Sequence, residues 1–136
     1  MFPPDSKILL VDDMISVRTV IADMLGSLGF QNILVASNGA DAWEAIQNGE
    51  PPFDLVISDL NMPKTNGMDL LIRLRAADRF KALPFLMMSA AFDEQSILKA
   101  IKSGADHYLV KPFNPEDLAL KLKLIFDKKT VGAGSQ

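Results

Sequence analysis

Five short apolar runs set the frame of this chain: Lys7–Val11, Ile33–Ala36, Leu55–Ser58, Leu83–Met88 and Tyr108–Val110. They are nearly continuous in apolar residues and do not alternate with polar ones. Strands of that kind are covered on both faces, the condition of a parallel sheet between two layers of helices. The segments between them have helical spacing. Ile15–Leu28 places Val17, Val20, Ile21, Met24, Leu25 and Leu28 near a 3.6-residue period, with Gly29 to end it. Asn38 caps a helix over Ala40–Asn48, with Asp41 in its first turn and Gly49 as the stop. Met68–Ala77 reads as a third helix. Asp93 caps Glu94–Ser103, which Gly104 ends, and Asn114 and Pro115 open a last helix over Glu116–Asp127. The expected fold is three-layer α/β, (βα)5. An all-helical reading fails because glycine and proline cut the chain too often. Residues 1–6 read as a lead, 7–129 as one domain and 130–136 as a flexible tail.

Composition narrows the class. A chain of 136 residues with 49% hydrophobic content can bury one ordinary core. With no cysteine, disulfides and thiolate metal sites are excluded. The opening MFPPDSK has no apolar signal core, and no apolar run is long enough to cross a bilayer. A cytoplasmic protein without membrane insertion is expected. A net charge of −3 weighs against nucleic acid as a partner. From Lys99 onward, seven lysines face Asp106, Glu116, Asp117 and Asp127, so the last third is basic and the rest acidic. Solvated faces are the simpler explanation, and an acidic working end with a basic partner-binding face is the sharper alternative.

The polar residues fall where each strand ends. Asp12 and Asp13 follow the first strand, Asp59 the third, Ser89 the fourth and Lys111 the fifth. In open α/β sheets that carboxyl edge binds ligands where the strand order reverses. If the order is 2-1-3-4-5, the reversal lies between strands 1 and 3 and brings Asp12, Asp13 and Asp59 together. Three carboxylates in one pocket repel unless a cation joins them, and oxygen donors without His or Cys favour Mg²⁺ over zinc. A carboxylate nucleophile, a lysine and a hydroxyl beside that cation suit phosphoryl transfer. Each residue has a plainer role open to it. Asp12 and Asp13 could cap the first helix, and Asp59 could open a turn with Asn61 and Pro63. Ser89 and Lys111 could be ordinary loop residues, His107 a strand residue and Trp43 core or helix surface.

The motifs LLVDD, ISDLNMPKTNG, LMMSA and YLVKPF, in that order from Leu9 to Phe113, resemble those of bacterial two-component response-regulator receiver domains, most of all the single-domain chemotaxis regulators. The likeness runs from about Lys7 to Lys129. It implies a flavodoxin-like sheet of order 2-1-3-4-5, an order that is this family's own and no independent deduction from the pattern. It also implies the residue roles. Asp59 would accept the phosphoryl group. Asp13 and Asp59 would ligate Mg²⁺ by carboxylate, Asn61 by its main-chain carbonyl and Asp12 through a metal-bound water. Lys111 would pair with Asp59 and contact a phosphoryl oxygen. Ser89 and Tyr108 would form the switch, and the Lys111–Pro112 bond would be cis. The implied partners are a sensor histidine kinase, a flagellar motor switch component and a phosphatase, bound by a monomer that catalyses only its own phosphorylation and dephosphorylation. The departures are Ser89, where threonine is commoner, and the small Ala91 two residues on, which leaves the phosphatase in doubt.

Rival readings fit less well. Haloacid-dehalogenase-type phosphatases place their nucleophile after the first strand, and flavodoxins need a phosphate-cradling loop where Asp12 and Asp13 stand. A receiver cut from a larger regulator, a phosphorelay intermediate and an inert docking receiver remain open.

Overall fold

The computed structural model describes residues 1–62, 66–89 and 94–134. Pro63 and the expected cap Asp93 lie outside them, as does Ala91. Strands β1 (Ile8–Val11), β2 (Ile33–Ala36), β3 (Leu55–Asp59), β4 (Phe85–Ser89) and β5 (His107–Val110) alternate with helices α1 (Ile15–Ser27), α2 (Gly39–Asn48), α3 (Gly67–Ala76), α4 (Glu94–Lys102) and α5 (Pro115–Gly134). All pairings are parallel and the order is β2-β1-β3-β4-β5. The fold is the expected flavodoxin-like α/β sandwich.

The continuous apolar strands divide by parity into two cores. Ile8, Leu10, Ile57, Leu86 and Met88 pack with Ile21 and Leu25 of α1 and with Leu118, Leu122 and Ile125 of α5. Leu9, Val11, Val56, Phe85 and Met87 pack on the opposite side with residues of α2, α3 and α4. At the open edge, β2 leaves Leu34 and Val35 exposed.

Local chemistry sets the ends. Gly29 and Gly104 have φ of +101° and +111°, the left-handed conformation that closes α1 and α4. Gly49 does not: its φ is −64°, so it stops α2 without a left-handed turn. Asn38, Asn66 and Asn114 accept the amides of Asp41, Asp69 and Asp117. The largest difference from expectation is α5, which runs to Gly134 where the sequence reading ends it at Asp127. Lys129, beyond that expected end, donates to the Ala82 carbonyl at 3.1 Å and pairs with Asp106 at 3.1 Å, contacts that local propensity cannot register.

Candidate functional site

Register places the acids. Val11 pairs with Ser58, so β1 and β3 end level and Asp12 leaves one strand where Asp59 closes the other. On the far side Asp59 pairs with Met88 and Ser89 with Val110, which brings Ser89 and Lys111 to the same edge. The Lys111 amide donates to the Ser89 carbonyl at 2.7 Å, and the Lys111–Pro112 bond is cis.

The carboxylates of Asp12, Asp13 and Asp59 each offer an oxygen, all within 4.8 Å of one another. Asp12 is fully buried, Asp59 is 7% exposed and Asp13 faces solvent. Lys111 Nζ lies 2.8 Å from Asp12 Oδ2 and 3.4 Å from Asp59 Oδ2. The expected pairing with Asp59 is therefore present, but the closer partner is Asp12. Burial pushes the Asp59 carboxyl above its ordinary value; Lys111 pulls it down and Asp12 pushes it up again. One lysine does not neutralise three acids. A divalent cation would, and the all-oxygen donor set, open to solvent at Asp13, fits a hard ion such as Mg²⁺. Asp12 has both oxygens engaged, Oδ1 by the Met14 amide at 3.0 Å and Oδ2 by Lys111. The same bond answers the capping alternative: Asp12 braces the turn, while Met14 holds the N-cap position with no side-chain cap.

The loop after Asp59 folds straight back. Leu60 donates to the Met88 carbonyl at 2.8 Å, and Gly67 donates to the Leu60 carbonyl at 3.0 Å. A Cβ at Gly67 would overlap the Asp59 carbonyl oxygen, so glycine is required by close approach to the strand end. Asn61 sits exposed in this loop. Ser89 is buried at the end of β4. Tyr108 is half-buried on β5, its ring 5.5 Å from that of His107 and 4.9 Å from Lys121 Nζ. Burial, then Lys121 and Lys128, hold the His107 imidazole below its ordinary basicity, against the opposing contact with the Tyr108 backbone. Trp43 packs against Phe80 and under Arg73, outside the acid cluster.

Sequence reasoning missed two residues that touch this site. Gly67 acts on the Asp59 carbonyl. Arg18 donates from Nη1 to the Asp12 carbonyl at 2.8 Å. Both act on main-chain atoms, which carry no residue-type signal.

A parallel sheet of this order with three acids, a lysine and a serine at its switch point defines a class. The chain belongs to the response regulator receiver domain family, which residues 8–123 match. Chemotaxis regulators are among its relatives. It is 37% identical over 119 residues to chemotaxis protein CheY1 of Helicobacter pylori strain J99, covering 88% of this chain and 95% of that protein. It is 39% identical over 122 residues to chemotaxis protein CheY-3 of Vibrio cholerae, covering 90% and 92%. The solved structure of chemotaxis response regulator CheY4 of Vibrio cholerae superposes with a TM-score of 0.80 at 33% identity, over 89% of this chain and 98% of that one. No helix among the described residues is long and apolar enough to cross a membrane.

Proposed function

We propose that the chain is a cytoplasmic, monomeric switch that a histidine kinase turns on by transferring a phosphoryl group to Asp59. The observation that carries this reading is the convergence of Asp12, Asp13 and Asp59 within 4.8 Å, facing Lys111 at the end of the central strands. An Asp59 carboxylate oxygen attacks phosphorus as the bond to the donor breaks, and the donor leaves with the electron pair and takes up a proton. Mg²⁺, held by Asp13, Asp59 and the Asn61 carbonyl, supplies charge neutralisation when bound. Lys111 stabilises the phosphoryl oxygens from the other side. The chain catalyses only its own phosphorylation and dephosphorylation.

The new charge and acceptor oxygens favour one arrangement of Ser89 and Tyr108 over another. The readout surface is α4, β5 and α5, where Leu98, Ile101 and Leu124 are exposed beside Lys99, Lys102 and Lys128. A partner of mixed apolar and acidic character, such as a flagellar motor switch component, fits that surface. Affinity for such a partner should fall as salt is raised; affinity unchanged between low and high salt would remove the lysines from recognition.

Intact mass after incubation with acetyl phosphate tests the reading. One Mg²⁺-dependent phosphoryl adduct is expected on the wild type and none on Asp59→Asn. A folded wild type that neither gains the adduct nor releases phosphate would leave a docking receiver without phosphoryl chemistry.

A further inference from the structure

The turn that delivers Asp12 and Asp13 is built differently from the starts of α2, α3 and α5. Helices α2, α3 and α5 open on an asparagine whose side chain accepts a first-turn amide. Helix α1 opens on Met14, in extended backbone, with no such acceptor. Asp12 donates its amide to the Ala36 carbonyl at 3.1 Å and accepts three bonds. Its Oδ1 accepts from the Met14 amide at 3.0 Å, its Oδ2 from Lys111 at 2.8 Å and its main-chain carbonyl from Arg18 Nη1 at 2.8 Å. The first two use the carboxylate, which belongs to the acid cluster, and Lys111 is shared with Asp59. The Arg18 bond alone of these three is independent of the site's charge state.

Arg18 is half-buried, and its own amide donates to the Met14 carbonyl at 3.0 Å. Its side chain therefore reaches back across the first turn of α1 to the end of β1. Repulsion among the three carboxylates works to open the turn that Arg18 spans.

We propose that Arg18 is a positioning residue for the cation site: it clamps the β1–α1 turn so that Asp12 and Asp13 stay turned toward Asp59. This rests on the cation reading given above. The clamp differs in sign from a pure charge effect. A guanidinium near a cation site repels the cation, so its removal should tighten binding if charge were all that mattered. Loss of a clamp should loosen it, as loss of outer-shell partners does, by about tenfold or more.

The test is direct Mn²⁺ binding, followed by the paramagnetic signal of the free ion, on wild type, Arg18→Met and Arg18→Lys. Methionine keeps the aliphatic stem and helix propensity; lysine keeps the charge and a donor group but not the planar fork. The expected result is about tenfold weaker binding for Arg18→Met, with Arg18→Lys recovering most of it. In the metal-free Arg18→Met protein, amide exchange should quicken around residues 12–15 alone. Unchanged or tighter Mn²⁺ binding by Arg18→Met would overturn the clamp while the cation site stands. Exchange that quickens across the whole chain would mark a general structural role and also overturn it. A wild type with no saturable Mn²⁺ binding would overturn the cation site and the clamp with it.

Discussion

The two edges of the sheet each bury a carboxylate, and they treat it in opposite ways. At the amino edge, Asp106 stands just before β5 with its side chain 6% exposed. Its Oδ2 accepts the Phe85 amide at 2.8 Å and Arg75 Nη2 at 3.3 Å, and its Oδ1 pairs with Lys129 at 3.1 Å. Arg75 also donates to the carbonyls of Gly104 and Phe80, at 2.9 and 3.1 Å. One acid there meets two cations and a backbone amide. At the carboxyl edge, three acids cluster and one lysine, Lys111, pairs with two of them, Asp12 and Asp59. The first arrangement ties α3, β4, β5 and α5 together. The second holds excess negative charge in place, which suits a cation. Stability and function sit at opposite ends of the same strands.

Breaking the amino edge should give the largest effect. Asp106→Ala leaves the Arg75 guanidinium, already held below its ordinary basicity by burial, without the charge that offsets that burial. It also strands the Phe85 amide. A loss of about 3 kcal/mol is expected, a fall in Tm of about 10 °C for a chain of this size. Replacing both partners, Asp106→Leu with Arg75→Met, should recover part of the loss because no buried charge is left alone. Urea denaturation of the singles and the double decides it; a double variant as unstable as the sum of the singles would mean that the two residues do not act as a pair.

The next effect bridges the comparison, since it strains the carboxyl edge through its backbone and leaves its charges alone. Gly67→Ala must displace the Asp59 carbonyl or the start of α3. A cost of about 2 kcal/mol is expected, in the range for overpacking a close contact, together with weaker Mn²⁺ binding because the strand end moves. An alanine variant with wild-type stability and metal affinity would show that the loop gives way freely.

The difference between the edges also explains what the sequence could and could not reveal. Strands and helices were legible because burial on both faces leaves unbroken apolar runs, and because Asn38, Gly29 and Gly104 act locally. The acids of the carboxyl edge were legible because each follows a strand whose position was already known. The amino-edge network was not: Arg75, Asp106 and Lys129 lie on a helix, a loop and a helix whose proximity only the tertiary fold creates. The Lys129 contacts lie past Asp127, where the sequence reads as running into a flexible tail over 130–136. Gly67 and Arg18 escaped for a different reason, since their partners are main-chain carbonyls. That Lys111 lies closer to Asp12 than to Asp59 is a matter of tenths of an ångström, which no motif encodes.

The smallest effect expected is also the one whose sign separates the edges most cleanly. Burial raises the Asp59 carboxyl above the ordinary 3.8, and Asp12 adds to the rise against the pull of Lys111. The folded state therefore holds the Asp59 proton more tightly than the unfolded chain does. Asp59 contributes most to stability below about pH 3.8, where it is protonated in both states, and that contribution falls as pH rises through its raised folded value. At neutral pH the ionised Asp59 is a net cost. Asp59→Asn should thus raise stability at pH 7 by about 1 kcal/mol, within the range for charges coupled in one network, and should flatten that part of the pH–stability curve. The same change at the amino edge, Asp106→Asn, should lower stability, because there the carboxylate answers two cations. Thermal melts of both variants between pH 4 and 8 measure the contrast. A destabilised Asp59→Asn protein at pH 7 would mean that Lys111 already compensates the acid cluster, and that the carboxyl edge is as settled as the amino edge.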